Sequence, residues 1–209
     1  EGTFDDCQRL VKAAFSDPDL VSMGLSTANS INVARLLPQI VYYLWAGRQM
    51  ADAIGARNAF SVVVPSGNLG NLTAGVMAAR LGLPARQFVA AHNANDYLVR
   101  YLAGRSDAFD FSASVATLSN AMDVGAPSNF ERLNALSAGA FSGDAGPSIA
   151  AYAVDDDTTT ARMAATYDQD GYLPCPHTAV GLEVIERWRE SSGEESMPVL
   201  TLATAHPAK

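Results

Sequence analysis

The sequence predicts an α/β protein built on a parallel sheet, and three observations carry that prediction. Phe60-Ser61-Val62-Val63-Val64-Pro65 is short, apolar and β-branched, as a strand buried on both faces is. Segments with apolar residues at helical spacing stand between such runs, so strands and helices alternate in layers joined by right-handed crossovers. The chain has 209 residues, 48% hydrophobic and 17% charged, enough for one globular unit with a substantial core.

Taken in order, Thr3 to Asp6 reads as a capping box that opens a helix from Phe4 to Phe15. Its apolar positions are Phe4, Cys7, Leu10, Val11, Ala14 and Phe15, and Ser16-Asp17-Pro18-Asp19 ends it with turn chemistry. Leu20 to Leu25 reads as a short strand, closed by the polar stretch from Ser26 to Ser30. A second helix is expected from Val33 to Ile54, with Pro38 in its early turns or kinking it. After the strand at Phe60 comes Ser66-Gly67-Asn68-Leu69-Gly70-Asn71, then a helix from Leu72 to Leu81 closed by Gly82. Gln87 to Ala91 is the next strand, and Asp96 is placed to cap a helix through Leu102. The stretch from Arg105 to Asn129 is irregular. Helices follow near Asn129 to Leu136, Thr158 to Tyr167 and Thr178 to Arg189, then a polar loop from Ser191 to Glu195. Val199 to Thr204 reads as a buried strand.

Composition excludes several functions. A net charge of -8 argues against a nucleic acid or an anionic membrane surface as partner. No apolar run is long enough to span a bilayer, and the first residues lack the regions of a signal peptide. Two cysteines, Cys7 and Cys175, fit reduced packing thiols in a cytoplasmic protein, and with three histidines at no ligand spacing they give no metal site.

The segment that carries chemistry is Val62 to Leu72. A buried strand ends, a glycine-rich turn follows and a helix starts at once, so backbone N–H groups converge where the helix dipole is positive. Gly67 and Gly70 allow close approach of an anion and unusual dihedrals, while Asn68 and Asn71 tolerate left-handed backbone and can donate. The alternative is a tight turn without a ligand. No Gly-Lys-Ser/Thr follows and the spacing is not Gly-x-Gly-x-x-Gly, which disfavours nucleotides.

Pro65-Ser66-Gly67-Asn68-Leu69-Gly70-Asn71 resembles the phosphate-binding loop of the threonine synthase family. Further segments resemble that family in the same order: Asn29-Ser30-Ile31-Asn32-Val33-Ala34-Arg35, the string Ala121 to Arg132, Pro176 to Gly181, and Ala203 to Lys209. The resemblance implies a three-layer parallel-sheet fold, tryptophan-synthase-β-like, of which residues 1–209 are the C-terminal portion. It implies pyridoxal 5'-phosphate as cofactor, its phosphate held by Gly67, Asn68, Leu69, Gly70 and Asn71. Thr204 would place its hydroxyl against the pyridine nitrogen; read from residues alone, it is a strand-end threonine satisfying backbone groups. Asn29, Ser30 and Arg35 would bind the phosphate of O-phospho-L-homoserine, which fits a guanidinium forking onto phosphate. Otherwise Arg35 is a surface residue and Asn32 a helix cap. His177 and His206 are given no role, and His92, Asn93, Asn95 and Asp96 form a polar cluster after a strand.

The family's Schiff-base lysine has no counterpart here. Only Lys12 and Lys209 are lysines among 14 basic residues, and neither has the motif context. The expectation is therefore a fragment of a threonine-forming lyase that is inactive alone. A partial sheet leaves exposed edges, so marginal stability or association, as in a homo-oligomer, is expected. The competing readings are an amino-acid dehydratase or cysteine synthase of the same fold type, and a non-catalytic phosphate-binding module.

Overall fold

The computed structural model describes residues 2–55, 59–137 and 147–208. Four parallel strands form one sheet in the order β3-β2-β1-β4: β1 (Phe60–Pro65), β2 (Ala85–His92), β3 (Ser148–Ala153) and β4 (Val199–Thr201). Helices cover both faces. Around α2 (Leu37–Ile54), α3 (Gly70–Arg80), α4 (Tyr97–Leu102) and α5 (Phe130–Leu136), one core takes Val62 and Val64 of β1 with Phe88 and Ala90 of β2. On the opposite face Val63, Val89 and Ala91 meet Val180, Val184 and Trp188 of α7 (Pro176–Ser192), with α6 (Asp156–Asp170) packed outside it. The alternation of successive β1 and β2 residues between two apolar cores is what a strand period of two gives when both faces are covered. This is the expected three-layer arrangement.

The helix ends follow local chemistry. Thr3 and Asp6 form the expected capping box on α1 (Phe4–Ser16), and Asp155 caps α6 by accepting from Thr158 N at 2.8 Å. Pro38 sits in the first turn of α2, where its missing N–H has no bond to lose. Asn32 caps a 3-10 turn, Val33–Arg35, that precedes the helix. Glu183 of α7 accepts from both Arg162 of α6 and Arg187, tying the outer helices together.

Several expectations are corrected. Pro18–Met23 is a 3-10 helix, not a strand: Asp17 accepts from Asp19 N and Pro18 starts the turn, and these local signals outweigh the apolar run. Asp96 stands at the start of α4 but makes no cap bond, because its carboxylate accepts from Arg100 Nε at 3.0 Å. The apolar face read on α1 is largely exposed: Leu10 is 62% and Phe4 40% accessible, while Gln8 is buried. Cys7 is therefore exposed and not a packing residue, whereas the buried Cys175 accepts from Thr178 N through its Sγ and caps α7. Val199–Thr201 is only half-buried, as an edge strand is. Among the described residues no helix is long and apolar enough to cross a membrane.

Gly75 sets how closely α3 lies on the sheet. A Cβ there would stand 2.6 Å from Phe88 Cε1 and 2.9 Å from Tyr43 Cζ. Gly75→Ala is expected to destabilise the protein by about 1–3 kcal/mol despite alanine's better helix propensity, read as a lower urea midpoint.

Candidate functional site

A cleft of about 810 Å³ opens at the carboxyl ends of β1 and β4, where α/β sheets bind ligands. The turn from β1 into α3 forms its floor. Ser66 N donates to Ala91 O at 2.8 Å, so the backbone leaves the sheet only after that residue. Leu69 then adopts the left-handed conformation at φ 59°, with its side chain fully buried. This corrects the expectation for the glycines. Neither Gly67 nor Gly70 has a positive φ; their smallness serves proximity instead. A Cβ on Gly67 would lie 2.7 Å from Met122 Cα, and one on Gly70 3.2 Å from Ser30 Cβ.

The asparagine side chains hold the turn in place. Asn71 Nδ2 donates to Pro65 O at 2.7 Å, and Asn71 O accepts from the Tyr43 hydroxyl at 2.8 Å. Asn68 Nδ2 donates to Ser30 Oγ at 2.6 Å, while its Oδ1 accepts from Ser128 N at 2.6 Å and Ser128 Oγ at 3.0 Å. Asn129 Nδ2 donates to Asn68 O at 3.0 Å. Among the described residues, the backbone N–H groups of Gly67, Asn68, Leu69, Gly70 and Asn71 have no protein acceptor. Five such donors at a helix N-terminus, fixed by surrounding side chains, have the geometry and polarity that suit an anion.

Of the residues expected from sequence, Gly67, Asn68, Gly70, Asn71, Ser30, Arg35 and Thr204 line this cleft. Asn29 does not; its Oδ1 accepts from Ile31 N at 3.3 Å and from Ser30 Oγ at 3.3 Å, shaping the turn that presents Ser30. Leu69 contributes its backbone from a buried position. Other lining residues were not expected. Thr201 Oγ1 is buried with no partner among the described residues, against the close approach of Gly181. His177, to which the sequence assigned nothing, is buried, and its Nε2 accepts from Ala121 N at 3.1 Å, fixing the segment that meets Gly67. Tyr42 also lines the cleft, its hydroxyl donating to Gln39 Oε1 at 3.0 Å, and partial burial pushes its pKa up to about 12. Ser128, Asn129 and Arg132 belong to a string whose family-like pattern was visible, although nothing in the pattern tells that they brace the loop.

The polar cluster after β2 forms a separate brace. Asn93 Nδ2 reaches Thr117 Oγ1 at 2.7 Å and Asp123 Oδ1 at 2.9 Å, and Asn95 bonds the backbone of Val115 in both directions. This ties the irregular stretch down beside Met122. The ring of His92 is buried beside this brace, and burial lowers its pKa to about 4 against the weaker opposing pulls of Asp96 and the Asn95 backbone.

The parallel three-layer sheet has counterparts among known proteins. Residues 1–205 match the family model of the pyridoxal-phosphate dependent enzymes, and the chain belongs to that family. Its similarity within the family is to threonine synthases. It is 44% identical to the enzyme of Escherichia coli over the whole chain, which spans 46% of that relative's length. The E. coli crystal structure superposes with a TM-score of 0.85 at 42% identity, covering all of this chain and 46% of that one. The pyridoxal-phosphate-bound threonine synthase from Brucella melitensis gives 0.76 at 35% identity, again with all of this chain and 48% of that one. The chain thus spans about half the length of the curated relatives it matches. The residues present fit the cofactor: five free N–H donors suit its phosphate, and the buried hydroxyl of Thr201 faces the same cleft without a partner.

His92 gives this end of the sheet a pH dependence. An unfolded histidine binds its proton near 6.5, whereas His92 in the fold does so only near 4. Between these values the unfolded state holds more protons, so stability is full above about pH 6.5 and falls as pH drops toward 4, by about 3 kcal/mol in all. His92→Gln is expected to flatten this slope when urea unfolding at pH 7 is compared with pH 4.5.

Proposed function

We propose that the protein is a threonine synthase, releasing phosphate from O-phospho-L-homoserine and adding water to give L-threonine. The observation that carries the reading is the contiguity of two anion-suited groups in one cleft. The free N–H donors of Gly67 to Asn71 form one, Ser30 and Arg35 the other, and Asn68 joins them through its bond to Ser30 Oγ. A substrate and a cofactor that each carry a phosphate require two such places. The 44% identity to a threonine synthase supports the choice over an amino-acid dehydratase or a cysteine synthase.

In this reading the N–H groups of Gly67, Asn68, Leu69, Gly70 and Asn71 hold the cofactor phosphate. Thr204, exposed on the facing wall, contributes its hydroxyl to the cofactor ring. The bound cofactor supplies an electron-withdrawing ring that makes the carbon next to the substrate amine acidic. Arg35 forks onto the substrate phosphate, with Ser30 beside it and Asn29 orienting Ser30. Holding the cofactor by its phosphate and the substrate by its own fixes the two against each other, and the cationic grip on the substrate phosphate favours its departure. Lys12 is exposed on α1 and does not line this cleft, and Lys209 lies outside the described residues. Among the described residues no lysine lines the cleft, so none of them serves as the catalytic lysine. Residues 1–209 form the C-terminal portion of the catalytic fold, inactive without a lysine from elsewhere in the protein.

The test is to supply the intact protein, loaded with pyridoxal phosphate, with O-phospho-L-homoserine. Threonine and inorganic phosphate should appear in equal amounts, and phosphate release without threonine would overturn the reading. Gly67→Ala pushes the loop off Met122 and should weaken cofactor retention by about ten- to a hundredfold for each N–H bond lost to the phosphate, measured by equilibrium dialysis. Arg35→Ala should leave cofactor retention unchanged and raise KM for the phosphorylated substrate by about tenfold or more in steady-state assays.

A further inference from the structure

A second concavity, of about 270 Å³, lies between α1 and the chain around Phe109 and Ser128. Nothing in the proposed reaction uses it. Gln8 lines it, only 5% exposed, and neither its Nε2 nor its Oε1 has a partner among the described residues. A buried amide with both ends unsatisfied is costly and marks a place where a polar ligand completes the bonds. Asp5 is similar: its Oδ2 accepts from Gly125 N at 3.0 Å, but its Oδ1 is buried and unpartnered among the described residues.

The charges around the cavity identify the ligand class. Asp5 and Glu131 are balanced by Arg9 and Lys12. Arg9 is engaged with Asp6 at 3.2 Å, whereas Lys12 and Glu131 make no ion pair among the described residues. Two carboxylates disfavour a simple anion, and the two cations disfavour a simple cation. A small zwitterion satisfies both signs. Phe109 and Phe111 add an apolar wall, and the volume is below the roughly 300 Å³ at which pockets for drug-sized ligands begin. Phe109 is held at φ 68° with its N–H donating to the Tyr97 hydroxyl at 3.0 Å. Leu69 and Phe109 are the two non-glycine residues with positive φ among the described residues, and one stands at each cavity. Such strain gathers at binding sites.

We infer that this cavity binds a free α-amino acid. The ligand's carboxylate meets Lys12 and the amide Nε2 of Gln8; its ammonium meets Asp5 and Gln8 Oε1; its side chain rests on Phe109 and Phe111. The site is coupled to the main cleft through Ser128, which lines the cavity and gives both its N–H and its hydroxyl to Asn68 of the phosphate loop. Occupancy therefore bears on the loop, and by linkage a ligand on the loop bears on occupancy.

The experiment is calorimetric titration of the intact protein with each of the twenty L-amino acids, a readout that does not depend on which reaction the protein catalyses. At least one amino acid is expected to give saturable binding that Gln8→Leu and Lys12→Ala each weaken by about tenfold or more. Lys12 is exposed, so Lys12→Ala tests the site without threatening the fold, and Gln8→Leu removes an unsatisfied amide from the interior. Flat titrations for all twenty would overturn the inference. So would binding that survives both substitutions unchanged, since it would then belong to the main cleft.

Discussion

The site depends on the side chain of one residue, Asn68. Its amide nitrogen reaches Ser30 across the cleft, its amide oxygen takes two bonds from Ser128, and its backbone carbonyl accepts from Asn129. Three segments far apart in sequence thereby meet at one residue, and each bond supports the geometry of the others. Arg132 extends the junction by donating to Ser30 O at 3.2 Å and to Asn129 Oδ1 at 2.6 Å. The five N–H donors are left without protein acceptors because side chains hold the turn. No basic residue is required in such a turn, so the acidic balance of the chain does not oppose the proposed cofactor-phosphate site.

The parallel sheet supplies the other half of the arrangement. Because β1 and β4 run the same way, both end at the same edge, and the turn after β1 faces the segment after β4 across the cleft. Helix α7 supports this from beneath: Gly181 lets it approach Thr201 and Pro65, and His177 reaches from its first turn to hold Ala121. Layers and site are thus one construction, with the same helix serving as core wall and as brace.

Much of this was legible in the residues. Strand β1, the turn and α3 follow from a β-branched run, a glycine–asparagine cluster and helical spacing, all of which are local. Strand β3 was missed because Ser148-Ile149-Ala150-Ala151-Tyr152-Ala153 has little strand propensity of its own and is a strand through its pairing with β2. The stretch at Leu20 was misread because apolarity alone does not separate a strand from a tight turn started by Asp17-Pro18. In the site, the strand–turn–helix and the family's cofactor could be read, but the division of labour within the turn could not. That Asn68 and Asn71 brace the loop, and that Gly67 is small because Met122 presses on it, are tertiary facts. The same holds for Gln8, whose burial contradicts the apolar stripe of its own helix.

Leu69 separates the timing of order from the timing of binding. Its left-handed backbone costs on the order of 1–2 kcal/mol, and full burial of its side chain returns about 1.5–3 kcal/mol, so the turn is clamped from within by the core. A glycine at that position would relax the backbone and leave the turn free to wander. With leucine there, the turn loses its freedom when the chain folds. The N–H donors are aligned on folding, so an anion bound as proposed would leave little conformational entropy to be surrendered on association.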